Sequence, residues 1–365
     1  MRPINGDDVT KAVTSCVATL RPMADRDWGS VKAARLAWSC RKTAEHIASD
    51  LIAYAGQLAG RAQDGYVPFD ITLDDGTDNS GLLHVIQTTG VLLAATVRTT
   101  PPGVRAFHPY PFRSADREGF AAMGIAEVLL HTHDIAEGLG IDYEPDEELA
   151  ESVLTWLFPH VQPGPAPWPT LLWATGRGEL PGRSPVTEWR WSNNLAIASE
   201  RLTLTGVRPA AARDLRLGGD GGFRWIEGGP YEGTRDAAGL LVKAYETGVH
   251  RPEFGIFVLV RKDGLAVGAM GFHSAPDEEG RVEIGYDLAE AARGQGYATE
   301  ALRSLTKWAL ARDDVHALTA KIDLDNAASR AVVTRTGFRQ VGSDDKVAVY
   351  ELRRETGQPA PAAED

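Results

Sequence analysis

The chain has 365 residues, of which 43% are apolar and 24% charged, and its formal net charge is −12. This length predicts two domains, because one hydrophobic core seldom extends beyond about 250–300 residues. The acidic balance and the lack of a Lys/Arg run disfavour a nucleic-acid-binding protein.

Targeting and redox signals are few. The two cysteines, Cys16 and Cys40, form no C-x-x-C pair, which favours a reducing compartment. The first residues lack the apolar core of a secretory signal, and no run of about 18 apolar residues predicts a membrane span. We therefore expect a cytoplasmic protein without membrane or nucleic-acid partners, and an oligomer is compatible with this composition.

Residues 1–192 have a helical pattern. Between Trp28 and Gly60 apolar residues recur at intervals of four and three, which is typical of a bundle helix. The glycines at 138 and 140 are expected to close a later helix. Together the segments predict an up-down bundle of four or five helices. The apolar stripe consists of Cys40, Ala44, Ile47, Leu51, Tyr54 and Leu58. The predicted helices lie within 28–60 and near 81–99, 116–138, 146–158 and 169–178.

The pattern changes between residues 192 and 198, after a segment rich in Pro, Gly and polar residues. Beyond it, strands and helices alternate, which predicts one α+β or mixed α/β domain over 199–355. The tail 356–365 has the composition of a disordered segment. The predicted elements are a hairpin of 254–260 and 265–272, strands 281–287 and 315–323, helices 298–312 and 326–336, and two closing strands.

The loop 293–298 (RGQGYA) joins a predicted strand to a predicted helix. Glycines let the backbone approach an anion closely, and the N–H groups at a helix start favour negative charge. An arginine at the start of the loop can add a charge-assisted contact. The loop therefore predicts a pyrophosphate site, although an ordinary tight turn has the same composition. Its residues are Arg293, Gly294, Gln295, Gly296, Tyr297 and Ala298.

Three polar residues near this loop are candidates for proton transfer. Alternation along strand 281–287 places Glu283 on the face opposite Val282 and Ile284, where a carboxylate can take a proton from an amine. A solvent-facing glutamate on an edge strand is the alternative. Asn326 and Ser329 begin the next-to-last helix, where they either bind a ligand or only cap the helix.

These features together resemble the GNAT acetyltransferases, from about residue 201 to 353. The resemblance rests on Glu283-Ile-Gly-Tyr, the loop 293–298, Asn326-Ala-Ala-Ser329 and Gly337-Phe338. These segments follow the order found in the subgroup that acetylates ribosomal-protein N-termini. The resemblance implies the GNAT fold, a mixed central sheet flanked by helices, with acetyl-CoA as cosubstrate.

The same resemblance implies roles for the polar residues. Glu283 corresponds to the catalytic glutamate, Asn326 to a contact with pantetheine or substrate, and Ser329 to a group that protonates the sulfur of coenzyme A. Many family members carry a tyrosine acid seven residues after that asparagine, where this chain has Val333. The departure shifts the acid role to Ser329.

A second group of polar residues lies in the predicted bundle. Glu127 and His131 are four apart and share a largely apolar helix face, whereas His133 points away from it. A buried pair of this kind needs compensation, and a metal ion is one source. His46, at the flank of the first long helix, is the candidate third ligand. The alternative is a Glu–His pair satisfied within the core.

Residues 10–190 resemble the DinB-like bundles, specifically the metal-binding domain of mycothiol-dependent maleylpyruvate isomerases. The matching pieces are Trp38–Ile47, Glu127–Ala136 and Leu171–Arg177. The resemblance implies His46, Glu127 and His131 as ligands of zinc or another divalent metal, a low-molecular-weight thiol as partner, and an actinobacterial source.

Three functions follow as hypotheses. The first is an acetyl-CoA-dependent N-acetyltransferase that acts on an amine of a small molecule or a protein N-terminus by direct attack in a ternary complex. The bundle would contribute to substrate binding. The second is a divalent-metal-dependent thiol transferase or isomerase with an accessory GNAT domain. The third, a ligand-sensing or scaffold protein, is disfavoured because the loop glycines, Glu283, Asn326 and Ser329 are all present.

Overall fold

The computed structural model describes residues 4–101, 103–109, 112–162 and 164–354. The chain divides into two compact units, residues 2–194 and 195–365. The division falls within the interval 192–198 where the sequence pattern changes. The tail 356–365, predicted to be disordered, lies outside the described residues.

The described part of the N-terminal unit is a helical bundle with one two-stranded ribbon. Helices α1 and α2 each pack against α3 and α4, α5 packs on α4, and α6 packs on α5. The described residues of this unit contain six α-helices, against the four or five predicted. The elements are α1 Gly6–Leu20, α2 Cys40–Gly60, α3 Asn79–Thr99, β1 Arg105–Ala106, β2 Ala115–Asp116, α4 Arg117–Leu139, α5 Glu147–Leu157 and α6 Pro167–Ala174.

Helix α1 is the one that the sequence analysis did not assign. Asn5 caps it through the backbone N–H of Asp7, and the Asp8 side chain accepts in return from the N–H of Asn5. Such a reciprocal cap is a signal of a helix start. Val9, Ala12 and the other apolar residues of α1 are buried in the bundle core.

Helix α2 begins at Cys40 rather than near Trp28. Ser39 caps it by accepting from the N–H of Lys42. Residues before it form turns, and Trp28 is fully buried with its indole N–H donating to the Met23 carbonyl. All six residues of the predicted stripe are buried, which confirms the face of α2 that packs inward.

The two glycines expected to end α4 have different roles. Gly140 is the C-cap, with a φ of 69° in the left-handed region where glycine is favoured. Gly138 lies inside the helix, and a Cβ there would overlap the carbonyl oxygen of Lys32 and approach the Cys40 sulfur at 3.1 Å. Gly138 is therefore required by packing rather than by helix termination.

Helix α6 starts and ends earlier than the predicted 169–178. Pro167 occupies the first turn, where its missing N–H costs no hydrogen bond. The helix ends at Ala174, and Gly176 follows with a φ of 69°. Helix α3 is long and apolar enough to cross a membrane by length and composition, but its buried side chains pack against α1 and α2.

The C-terminal unit is a mixed sheet with helices. The elements are β3 Ala196–Ala198, β4 Leu202–Gly206, α7 Pro209–Arg216, β5 Arg224–Trp225, α8 Glu232–Glu246, β6 Ile256–Arg261, β7 Leu265–Phe272, β8 Arg281–Leu288, α9 Tyr297–Leu310, β9 Ala317–Asp323, α10 Ala327–Arg335, β10 Arg339–Ser343 and β11 Val347–Arg353. The predicted hairpin is confirmed as β6 and β7, and the two closing strands are β10 and β11. Helices α7 and α8 were not predicted; they pack with Ile256, Val258 and Ala266 of the sheet in one apolar cluster.

The sheet order is β10-β11-β9-β8-β7-β6-β4-β3, with β5 beside β7. Neighbours are antiparallel except for the pairs β8–β9 and β5–β7. Strands β8 and β9 pair only between Arg281–Glu283 and 317–319, although β8 continues to Leu288 and β9 to Asp323. The strands therefore separate after Glu283 and leave unpaired backbone on both sides of an opening.

Stability should reveal the different roles of the glycines in α4. We expect Gly138→Ala to lower the free energy of unfolding of the helical unit by about 1–3 kcal/mol, because the added methyl has no space beside Lys32. Gly140→Asn should cost less than about 1 kcal/mol, because asparagine tolerates the left-handed conformation. Denaturant-dependent hydrogen exchange in α4 peptides of the full chain measures both; equal costs would contradict the packing role.

Candidate functional site

Three side chains of the helical unit converge on one point. The Nε2 atoms of His46 and His131 lie 3.7 and 3.1 Å from Oε2 of Glu127. One ligand atom from each residue lies within 4.8 Å of the others. Glu127 and His131 are buried and His46 is partly exposed. The structure thus brings together the three residues that the sequence analysis proposed as metal ligands.

The packing of α2 against α4 produces this convergence. Glu127 and His131 are one turn apart on α4 and face the same way, while His46 reaches them from α2. His133 lies instead 3.7 Å from Glu137 and makes an edge contact with the Trp168 ring. The prediction that His133 points away from the cluster is therefore confirmed.

A second carboxylate, which the sequence analysis missed, lies beside the cluster. Oδ2 of Asp50 is 3.3 Å from Nε2 of His46, one turn along α2. Burial and the charge of Glu127 raise the pKa of Asp50 to about 8. Burial also opposes ionisation of Glu127, but the contacts with His131 and His46 outweigh it and lower the pKa of Glu127. A proton on Asp50 therefore relieves the repulsion between the two carboxylates.

His131 is held in place from its other nitrogen. Its Nδ1 lies 3.0 Å from Oδ2 of Asp134, and Arg177 donates from Nε and Nη2 to the same carboxylate. Burial alone would lower the pKa of His131, but the contacts with Asp134 and Glu127 outweigh burial and raise it to about 9. An orienting carboxylate behind a histidine is typical of metal-ligating histidines.

The chemistry of these donors fits a divalent transition metal. Two imidazoles and one carboxylate form the ligand set of zinc sites that keep a coordination position open. The three residues line a cavity of about 490 Å³, together with Trp38, Trp189 and Arg177 among others. Trp38 is 40% exposed and its ring centroid lies 4.9 Å from that of His46. The cavity thus gives a small molecule access to the three ligands.

The C-terminal unit has its own cavity of about 700 Å³ where β8 and β9 separate. Residues 284–287 of β8 and 320–323 of β9 line it, as do Asn326 and Ser329. The separated strands expose peptide groups on either side, which can hydrogen-bond an extended ligand. Two of the predicted catalytic residues therefore face the cavity, whereas Glu283 and the loop 293–298 are not among its lining residues.

Glu283 lies on the predicted face of β8 but is not on an edge strand. Strand β8 is inside the sheet, between β7 and β9, so the edge-strand alternative is wrong. Both carboxylate oxygens have partners: Oε2 accepts from Nζ of Lys321 at 2.7 Å, and Oε1 lies 3.1 Å from Nδ1 of His273. Glu283 is therefore a paired carboxylate rather than a free one.

His273 and Lys321 line the cavity next to Glu283, and no sequence pattern marks them as site residues. His273 follows the last residue of β7, and its backbone N–H donates to the Glu283 carbonyl across the strand pair. Lys321 lies two residues beyond the last β8–β9 pair. Only the register of the three strands brings these side chains together, and the sequence alone does not supply that register.

Asn326 acts as the N-cap of α10. Its side chain accepts from the backbone N–H of Ser329 at 3.0 Å. The carbonyl oxygen of Ser329 accepts from the Tyr286 hydroxyl at 3.2 Å, which connects α10 to β8. Val333 is fully buried, and its side chain has no hydroxyl that could replace that of the missing tyrosine. Asn326 therefore both caps α10 and lines the cavity.

The loop after β8 has the geometry expected of an anion site. Gly294 and Gly296 have φ values of 74° and 82°, in the left-handed region that favours glycine. Gly296 precedes α9, and no side chain caps this helix start. The first N–H groups of α9 are thus available to a ligand.

An arginine next to β4 supports this loop and was also missed. Arg201, which immediately precedes β4, donates from Nη1 to the Gln295 carbonyl at 3.0 Å and from Nε to Glu300 at 2.6 Å. Arg293 donates to the Leu288 carbonyl at 3.2 Å, and its guanidinium lies over the Tyr231 ring. The loop is therefore held by residues outside 293–298, namely Arg201, Leu288 and Tyr231.

Comparison with known proteins identifies this part of the chain. Residues 201–339 match the family model described as "Acetyltransferase (GNAT) domain". The C-terminal unit contains a GNAT acyltransferase domain. The predicted fold and enzyme class of this unit are thereby confirmed. The match does not extend to the helical unit.

Similar proteins agree with this family. The uncharacterized N-acetyltransferase YjdG of Bacillus subtilis is 38% identical over 86 residues, which cover 23% of this chain and 51% of YjdG. The uncharacterized N-acetyltransferase p20 of Bacillus licheniformis is 29% identical over 85 residues, 23% of this chain and 48% of p20. The chain spans about half the length of these curated relatives. Both come from Bacillus, so the predicted actinobacterial source has no support from them.

A solved structure of RimL, a ribosomal L7/L12 alpha-N-protein acetyltransferase in complex with coenzyme A, is 20% identical. It covers 44% of this chain and 98% of its own length, with a TM-score of 0.34.

The two roles of Asn326 can be separated by substitution. Asn326→Ala should lower the stability of α10 by about 1 kcal/mol, because the cap is lost. Asn326→Asp should retain the cap, so hydrogen exchange in residues 327–335 should remain near that of the unmodified protein. If Asn326 only caps the helix, Asn326→Asp will also keep its affinity for acetyl-CoA; a loss of affinity with protection retained would show ligand contact.

Proposed function

We propose that the protein is an acetyl-CoA-dependent N-acetyltransferase that acts on the amine of a small molecule or of a peptide N-terminus. The observation that supports this most strongly is the uncapped helix start at Gly296, in a domain that matches the GNAT family. The acetyl group passes directly to the amine in a ternary complex. The cytoplasm is the expected location.

Each predicted residue has a place in this proposal. The backbone of Arg293–Ala298 binds the pyrophosphate of acetyl-CoA, and the pantetheine lies in the opening between β8 and β9. Glu283 provides the carboxylate of the proton path from the amine. Ser329, in the cavity wall beside Asn326, provides a proton for the departing sulfur.

A single glycine tests the donor site. Gly296→Glu places a negative side chain where the pyrophosphate binds, so we expect the Kd for acetyl-CoA to rise at least about tenfold, or about 1.4 kcal/mol. Gly264→Glu is the matched control, because Gly264 is exposed, has a φ of 81° and lies in the β6–β7 turn. Calorimetric titration with acetyl-CoA measures both.

The outcomes of this titration are distinct. Unchanged binding by Gly296→Glu, or no binding by the unmodified protein, would contradict the proposal. Equal losses in both variants would show that backbone strain, and not the pyrophosphate, determines the result. A turnover screen of acetyl-CoA against amines, peptides and antibiotics, with and without zinc, then identifies the acceptor.

A second candidate function rests on the cluster of His46, Glu127 and His131. We propose that the helical unit is a DinB-like bundle over residues 1–192 that binds zinc or another divalent metal through these residues. The bound metal would lower the pKa of a low-molecular-weight thiol, as in a thiol transferase or isomerase. Asp134 and Arg177 hold His131 in the orientation that ligation requires.

Metal affinity tests the cluster without any assay of activity. In zinc titrations of the full chain, we expect His46→Ala to weaken zinc binding at least about 10–100-fold. Loss of a residue that only supports a metal ligand already costs about that much affinity. Asp134→Asn should itself weaken binding about 10–100-fold through the loss of orientation at His131. His133→Ala, on the same helix but outside the cluster, is the control and should bind as tightly as the unmodified protein.

Two results would contradict the metal site. One is a purified protein that holds no metal and takes up none on titration. The other is a loss of affinity in His133→Ala equal to that in His46→Ala, which would indicate non-specific binding to histidines.

A further inference from the structure

The group that takes the amine proton in the C-terminal cavity need not be the carboxylate of Glu283. That carboxylate is paired with Lys321 at 2.7 Å and with His273 at 3.1 Å, and Glu283 is not among the residues that line the cavity. His273 and Lys321 do line it. Both partners of Glu283 therefore border the cavity, whereas the carboxylate itself does not.

Of the two, only the histidine can accept a proton. An ammonium such as that of Lys321 has three donors and no acceptor, and here it donates to Glu283. The imidazole of His273 has Nδ1 directed to Glu283, which leaves Nε2 as its second nitrogen. No hydrogen-bond partner of Nε2 is found among the described residues, and the side chain is 49% exposed.

The backbone of β8 makes room for this ring. Gly285 is directly across from Gly271 and also lines the cavity. A Cβ at Gly285 would lie 2.7 Å from Nε2 of His273. The imidazole thus lies over a position without a side chain, next to the cavity where β8 leaves β9.

We propose that His273 is the general base of the acetyl transfer, and that Glu283 is a positioning residue that holds the ring through Nδ1. This rests on the proposed N-acetyltransferase function and deepens it. Histidine is the side chain that most often serves as a general base. The carboxylate lies at Nδ1, so Nε2 is the ring nitrogen left to take a proton. Lys321 fixes the carboxylate from its other oxygen.

The step balances without a further reactant. The amine nitrogen forms a bond to the carbonyl carbon of the thioester, and the bond from that carbon to sulfur breaks. A proton passes from the nitrogen to Nε2 of His273. The sulfur leaves as the coenzyme A thiolate and takes a proton either from solvent or from Ser329, which then recovers its proton from solvent. His273 returns its proton to solvent.

Substitution at the two positions distinguishes base from positioning residue. With acetyl-CoA and the amine that the unmodified protein acetylates fastest in a panel of hexapeptides, polyamines and aminoglycosides, His273→Ala should lower kcat about 10²–10⁴-fold. The Kd for acetyl-CoA should change little, and added imidazole should restore part of kcat. Glu283→Gln should lower kcat less, without rescue by imidazole, and Glu283→Asp should recover part of the loss.

A matched control comes from the same unit. His316 is exposed and does not line the cavity, so His316→Ala should leave kcat and the Kd for acetyl-CoA unchanged. Circular dichroism and the Kd for acetyl-CoA report whether each variant is folded. Because His273 is half exposed, we expect His273→Ala to fold normally.

The results separate this proposal from the function on which it rests. If the unmodified protein acetylates no amine of the panel, the proposed function fails and the base assignment with it. If the unmodified protein is active and His273→Ala keeps its kcat, only the base assignment is overturned. A larger loss in Glu283→Gln than in His273→Ala would identify Glu283 itself as the base.

Discussion

The short parallel pairing of β8 with β9 determines the site of the C-terminal unit. The strands pair over three residues and then separate, although each continues for several residues more. Peptide groups on both sides of the opening are left without a strand partner, and unpaired backbone groups need a ligand or water. The loop that carries Gly294 and Gly296 follows the free end of β8, so an extended ligand with a terminal anion suits both features.

The same separation positions the polar side chains. Glu283 is the last residue of β8 that pairs with β9. There Lys321 of β9 and His273, the residue after β7, reach it from either side. Asn326 and Ser329 lie just beyond the end of β9, where α10 begins. The elements β7, β8, β9 and α10 meet where the strands diverge. Each of them therefore contributes residues to the lining of the cavity.

The sequence predicts those parts of the site that depend on neighbours along the chain. The glycines of the loop, the i, i+4 spacing of Glu127 and His131, and the alternation at Glu283 are all local signals. His46 was also predicted, because a side chain at the flank of the α2 apolar stripe can reach a neighbouring helix. His273, Lys321, Arg177 and Arg201 were missed, because each acts through a contact set by strand register or helix packing. Helix α1 was missed although its reciprocal cap is visible in the sequence.

The two sites combine similar residues, and they differ in the basic partners of the glutamate. Glu127 and Glu283 each lie between two basic side chains. At Glu127 both partners are imidazoles, which as neutral rings can bind a cation together with the carboxylate. At Glu283 one partner is the ammonium of Lys321, whose fixed positive charge already occupies the carboxylate and disfavours a metal ion there. The second imidazole thus favours the metal that we propose for the helical unit, whereas the lysine at Glu283 leaves His273 as the partner that can accept a proton.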